Sequence, residues 1–158
     1  MGRFSVLILT IGIPGAGKTT WVNKYIKKHP LTYVVSTDAI RKELTGNEDC
    51  IDPSQSDMIH DVARVRAKKI IDDPTSRGGI GPEIIIDSTN VDVLEWLKYK
   101  EIGASVIVAK IFDVTPDVAM KHQEERIRKV PQEVVENYWK QFQDNRKYLR
   151  YIFNMILD

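Results

Sequence analysis

The stretch Gly12-Ile13-Pro14-Gly15-Ala16-Gly17-Lys18-Thr19 decides how this chain folds. It matches G-x-x-x-x-G-K-[ST], in which glycines let successive backbone N–H groups turn inward around phosphate oxygens. In this reading Gly12, Pro14, Gly15, Ala16 and Gly17 form the cradle and Lys18 reaches the terminal phosphates. The Thr19 hydroxyl holds a magnesium ion, and Thr20 carries the loop into the next helix. The flanks agree. Before the loop, Phe4-Ser5-Val6-Leu7-Ile8-Leu9-Thr10-Ile11 is short and β-branched, as a buried parallel strand should be. After it, Thr20-Trp21-Val22-Asn23-Lys24-Tyr25-Ile26 has the apolar spacing of a helix, whose N-terminus adds partial positive charge facing an anion. The bland alternative is a tight strand-to-helix turn with no ligand.

Working outward, 158 residues predict a single domain over 1–158, large enough to bury a core. With 42% hydrophobic and 28% charged residues the composition is that of an ordinary globular protein. The net charge of +1 excludes a global basic field, so any nucleic-acid binding must come from local patches. A single Cys50 excludes an internal disulfide framework and fits a reducing compartment. The N-terminus is strand-like at once rather than a cationic leader, and no apolar run approaches a membrane span. The expectation is a cytoplasmic protein of a bacterium or a phage-infected host, with no membrane partner.

Four strand-like runs alternate with helical segments: 4–11, 32–37, 83–87 and 105–112. A long helix is predicted over about 53–73, with Met58, Ile59, Val62, Ala63, Ile70 and Ile71 near one stripe. Asp92 with Glu95 has the form of a capping box. Thr115-Pro116 opens a helix to about Arg128, and Pro131 opens the last one. This order predicts an α/β fold: a doubly wound parallel sheet of about four strands, helices on both faces and a helical lid over about 116–131. The apolar C-terminal stretch 148–157 reads as a segment packed on the sheet, with an oligomer surface as the alternative.

In such a sheet, ligands sit at the carboxyl ends of the strands. The second strand delivers Asp38 and Arg41, the third Asp87-Ser88-Thr89-Asn90, and the fourth Asp113. Asp38 is a candidate base for an acceptor hydroxyl, or else a helix cap. Arg41 lies one turn on and points to the same cleft, or is a solvated helix arginine. Asp87 binds magnesium through water or caps its turn. Asp113 reads as structural. The basic run Arg126-Ile127-Arg128-Lys129 is a solvated helix end or the lid over a nucleotide, whose arginine stabilises the transferred phosphoryl group. His29, His60 and His122 lack metal-ligand spacing and read as surface or loop residues.

On these motifs the chain resembles the kinase domain of the phage polynucleotide 5'-hydroxyl kinases. The likeness covers most of the chain and rests on residues 10–21, Asp38-x-x-Arg41, Asp87-Ser88-Thr89-Asn90 and the basic lid before Val130-Pro131. The resemblance implies a P-loop kinase using ATP or another NTP with Mg2+. It implies Asp38 as general base, Arg41 and Thr89 on the acceptor phosphate, and a lid arginine on the nucleotide phosphates, Arg126 ahead of Arg128. The third motif carries one inserted residue, the lid spacing differs by about one, and the family's Asp-x-Asp phosphatase domain is absent. The leading function is transfer to a 5'-hydroxyl end of DNA or RNA. The alternatives are a hydroxymethyl pyrimidine within DNA, a nucleoside or sugar, or an NTP-binding switch with no acceptor. A guanine-nucleotide switch would carry Asn-Lys-x-Asp, which this sequence lacks, since Asn23-Lys24 is followed by Tyr25-Ile26.

Overall fold

The computed structural model describes residues 2–47, 53–124 and 130–158. Alternation along the first strand, β1 (Val6–Ile11), builds the centre of the molecule. Leu7, Leu9 and Ile11 point to one side of the sheet and Ile8 to the other, all of them buried. The same alternation runs through β3 (Glu83–Asp87) and β4 (Val106–Ile111), which flank β1 in parallel register, with Ile8 opposite Ile85 on one side and Val108 on the other. These strands are apolar on both faces because both faces are covered.

The helix α1 (Lys18–Lys28) covers one face, setting Val22, Trp21, Tyr25 and Ile26 on Ile8, Ile85 and Val108. The other face carries the larger core. There α2 (Thr37–Thr45) brings Ile40, α3 (Pro53–Asp72) brings Ile59, Ala63 and Ala67, and α4 (Val93–Glu101) brings Trp96 and Tyr99. Above the sheet edge, α5 (Pro116–Gln123) and α6 (Gln132–Asn145) pack Ala119 and Val135 against Ile13 and Ala16 of the phosphate loop. The predicted stripe of α3 holds except at Met58, which is 45% exposed, because Ala67 rather than Met58 completes the buried face.

The sheet has five strands rather than four, all parallel, in the order β2-β3-β1-β4-β5, with β2 spanning Tyr33–Ser36. The fifth is β5 (Met155–Leu157), inside the C-terminal stretch expected to pack on the sheet. A short helix, α7 (Leu149–Ile152), buries Leu149 and Ile152. Asn154 then docks on β4: its side-chain oxygen accepts the Ile107 N–H and its own N–H donates to the Ile107 carbonyl, each at 2.9 Å. A three-residue exposed strand has no alternation to read, so the sequence pattern misses it. Among the described residues no helix is long and apolar enough to cross a membrane.

Trp96 is fully buried, meets Phe153 edge-on at 5.6 Å between ring centroids, and donates its indole N–H to the Asn90 carbonyl. Trp96→Ala is therefore expected to cost about 3–5 kcal/mol, the usual range for emptying a large aromatic site. Urea unfolding measures it, and a cost below about 1 kcal/mol would show that this core face collapses without penalty.

Candidate active site

The phosphate loop leaves β1 and is shaped by two left-handed glycines, Gly15 at φ +86° and Gly17 at φ +95°. At Gly15 the backbone also passes so close to α5 that a Cβ would stand 2.4 Å from the Ala119 carbonyl oxygen. At Gly17 there is open space, and conformation alone demands glycine. Gly17 is also the N-cap of α1, with no side chain capping the helix, which keeps its first-turn N–H groups for an anion. The Gly12 N–H donates to the Thr89 carbonyl at 3.1 Å, tying the loop to the end of β3. Lys18 folds back over the loop, donating to the Gly12 and Ile13 carbonyls at 2.8 and 2.7 Å. Pro14 is half-buried and Ala16 buried against α5, while Thr19 and Thr20 are exposed at the helix start.

The ends of β2 and β3 bring the other candidates to this loop. Ser36 lies opposite Asp87 in the sheet register. Ser36, not Asp38, caps α2, its hydroxyl accepting the Ala39 N–H at 3.2 Å. The capping alternative for Asp38 is thereby excluded. Asp38 is 54% exposed on the first turn and accepts a hydrogen bond from the Arg41 guanidinium at 2.7 Å, with Arg41 only 19% exposed. The Thr19 hydroxyl donates to the Asp87 carboxylate at 3.3 Å. These two oxygens, converging from α1 and β3, suit a hard cation that takes its remaining ligands from water and phosphate. Among the described residues no cluster of three or more His, Cys, Asp or Glu side chains could hold a metal by itself. Asp113 pairs with Arg146 at 3.3 Å, in keeping with its structural reading.

Asn90 is the residue the sequence undervalued. It is 3% exposed, adopts φ +49°, and donates through its amide to the Thr10 carbonyl at 2.8 Å, locking the end of β1 to the loop after β3. Its side-chain oxygen is buried without a protein partner. His122 also differs from its surface reading. Its Nδ1 lies 2.8 Å from the Gly15 carbonyl, which can only accept, so that nitrogen carries the hydrogen and joins α5 to the phosphate loop. Neither role has a sequence signal, because each depends on two elements meeting across the fold.

His60 is not a surface residue either. It sits within α3 with its side chain 15% exposed, its Nδ1 lying 3.1 Å from the Tyr99 hydroxyl and 3.8 Å from the Glu95 carboxylate. Burial pushes its pKa below the usual histidine value; the Glu95 carboxylate opposes this, and the Arg64 and Arg41 guanidinium groups add to it. Glu95 leaves the predicted capping box half-made. Asp92 alone caps α4, accepting the Leu94 N–H at 2.9 Å, while Glu95 turns inward to an ion pair with Arg64. The helix opened by Pro116 ends at Gln123. The lid arginine candidates Arg126 and Arg128, together with Cys50, lie outside the described residues.

Gly15→Ala tests the loop geometry. A left-handed alanine costs roughly 1–2 kcal/mol, and the Cβ clash with Ala119 adds to it. We expect ATP affinity by calorimetry to fall by about tenfold or more, with Gly17→Ala milder. Wild-type affinity in Gly15→Ala would show that the loop tolerates a shifted backbone.

Comparison with known proteins agrees with this geometry. Among solved structures, a chain of the Pnkp1/Rnl/Hen1 RNA repair complex superposes with a TM-score of 0.75 at 19% identity, covering 93% of this chain and 47% of its own length. This chain therefore spans about half the length of that protein. A gluconokinase from Sinorhizobium meliloti 1021 superposes at 0.61 and 15% identity, with 98% and 82% covered. A shikimate kinase from Acinetobacter baumannii in complex with shikimate superposes at 0.60 and 11% identity, with 98% and 83% covered. At these identities the likeness is one of fold: a parallel five-stranded sheet with flanking helices, the P-loop kinase architecture. Residues 7–149 match the model of an AAA domain family, and the chain belongs to that family.

Proposed function

We propose that this chain is an ATP-dependent polynucleotide kinase that transfers the γ-phosphate to a 5'-hydroxyl end of DNA or RNA. The observation that carries the reading is the 2.7 Å contact between Asp38 and Arg41 at the mouth of the phosphate loop. A hydroxyl acceptor that adjoins a phosphate needs a base and an anion partner side by side, and this pair offers both. A nucleotide switch has no use for either. The fold likeness to a component of an RNA repair complex supports the same reading.

The chemistry then runs through the chain's own groups. The N–H groups of residues 12–20 receive the nucleotide phosphates. Lys18 exchanges its two loop carbonyls for phosphate oxygens, where it stabilises charge as the phosphoryl group moves. Bound Mg2+, held by Thr19 and Asp87, supplies neutralising charge on those oxygens. Arg41 turns from Asp38 to the acceptor phosphate in a bidentate contact, with Thr89 beside it. Asp38, released, accepts the hydroxyl proton. The lid arginine, Arg126 or Arg128, completes the charge stabilisation.

A panel of acceptors with labelled ATP tests the reading: 5'-hydroxyl oligonucleotides, duplex carrying hydroxymethyluracil, free nucleosides and sugars, and no acceptor. Label at 5'-hydroxyl ends is the expected outcome. Label only within the hydroxymethylated duplex, or only on a free nucleoside or sugar, would replace this substrate class with that one. Hydrolysis alone would favour the switch.

Two sets of variants sharpen it. Lys18→Ala is expected to abolish transfer with a melting temperature near wild type. Asp38→Asn is expected to cost about 10²–10⁴ in rate while ATP binding and stability stay intact, because Ser36 already caps α2. A stable Asp38→Asn enzyme with unchanged rate would remove Asp38 from the chemistry. Arg41→Ala is expected to raise the acceptor KM in a salt-dependent way, since phosphate contacts release counterions. For an uncharged acceptor the same change would be silent.

A further inference from the structure

We propose that His60 is a second anion-binding residue of the acceptor pocket, its Nε2–H edge joining Arg41 on the phosphate next to the reacting hydroxyl. This rests on the polynucleotide-kinase reading above.

The tautomer follows from hydrogen-bond satisfaction. Tyr99 is fully buried, and burial raises its pKa, so its hydroxyl keeps its hydrogen at neutral pH. Among the described residues the one hydrogen-bond partner of that hydroxyl is His60 Nδ1, 3.1 Å away. Its single hydrogen must therefore go to Nδ1, because the opposite arrangement would strand a buried O–H. With Nδ1 accepting, the neutral ring carries its hydrogen on Nε2.

That Nε2–H is available to a ligand. The buried side-chain polar atoms without a partner are Asn90 Oδ1 and Gln143 Nε2. His60 Nε2 has no protein partner either, yet it does not belong with these, so its edge reaches solvent. The groups acting on the ring are Asp57 and Arg64 from α3, Arg41 from α2, and Glu95 from α4. Glu95 is already engaged by Arg64. The open edge is thus an N–H donor beside the arginine assigned to the acceptor phosphate. Donors converging beside a guanidinium suit an anion and repel a cation. The ring cannot swing away, since Tyr99 meets it edge-on at 6.1 Å and bonds its far nitrogen.

Two variants separate this role from simple packing between α3 and α4. His60→Gln keeps a donor near the Nε2 position and loses the Tyr99 bond. His60→Asn keeps a partner near the Nδ1 position and loses the outward donor. With a 5'-hydroxyl oligonucleotide, His60→Asn is expected to raise the acceptor KM about tenfold, the worth of one charge-assisted hydrogen bond. Its kcat and ATP KM should stay near wild type, and His60→Gln should stay close to wild type throughout. Replacing the first phosphate of the oligonucleotide by a neutral methylphosphonate should erase the difference between His60→Asn and wild type. The reverse ranking, with Gln impaired and Asn normal, makes His60 a packing residue and overturns the proposal. So does a His60→Asn penalty that persists undiminished on the methylphosphonate acceptor, or no penalty at all. A wild-type enzyme that labels no nucleic acid is a separate result: it removes the polynucleotide reading itself, and is seen before any variant is assayed.

Discussion

A knot of hydrogen bonds between the ends of β1 and β3 holds the rest of the site in place. The Thr10 hydroxyl donates toward the Ser88 carbonyl at 2.9 Å and receives the Ser88 N–H at 3.1 Å. The Asn90 amide returns to the Thr10 carbonyl, and the Gly12 N–H closes on the Thr89 carbonyl. Through these contacts the phosphate loop and the strand-end loop carrying Asp87 and Thr89 move as one piece. Asn90 meets the geometry in a left-handed conformation that asparagine tolerates better than most side chains. Strain of this kind persists where the surroundings over-determine it, and here Trp96 pins the Asn90 carbonyl from the core side.

The polar groups of the site partner one another. Lys18 sits on loop carbonyls, Arg41 on Asp38 and Thr19 on Asp87. Substrate binding in this arrangement exchanges one set of partners for another. The net gain per contact is then modest, as for most hydrogen bonds that are traded rather than created. The arrangement has a kinetic benefit: the groups wait near their working positions, and little reorganisation remains for the reacting complex. Asp38 and Arg41 fit this pattern well, because the approach of an anion to Arg41 is the same event that frees the carboxylate.

How much of this was legible depended on how local the cause was. The phosphate loop, β1 and α1 could be read because their physics lies within some twenty consecutive residues: glycine conformations, an alternating strand, a helix start. The strand-end positions of Asp38, Arg41, Asp87 and Thr89 were readable because a parallel sheet sends every strand end to one edge. What stayed hidden joins distant segments. His122 bonds a carbonyl more than a hundred residues away in sequence. Glu95 looks like a cap by spacing, yet Asp92 meets the helix end alone and Arg64 claims the carboxylate. The strand β5 is too short and exposed to show a period, and its pairing rests on the single Asn154 bridge to Ile107.

The inward turn of Glu95 calls for a reason, since a buried ion pair is poor evidence for stability: desolvation consumes most of the Coulombic gain. Its value here is positional. His60 and Arg64 lie one turn apart on α3, as Glu95 and Tyr99 do on α4, so each helix offers a matched pair on one face. Arg64 meets Glu95 and His60 meets Tyr99, two directional contacts that fix how the helices are rotated against each other. Apolar packing of Ile59, Ala63 and Trp96 alone would tolerate slippage, because dispersion has no preferred direction. Slippage by part of a turn would carry His60 away from Arg41. The charged pair therefore earns its place by register: it sets the angle at which α3 presents His60 to the cleft beside α2.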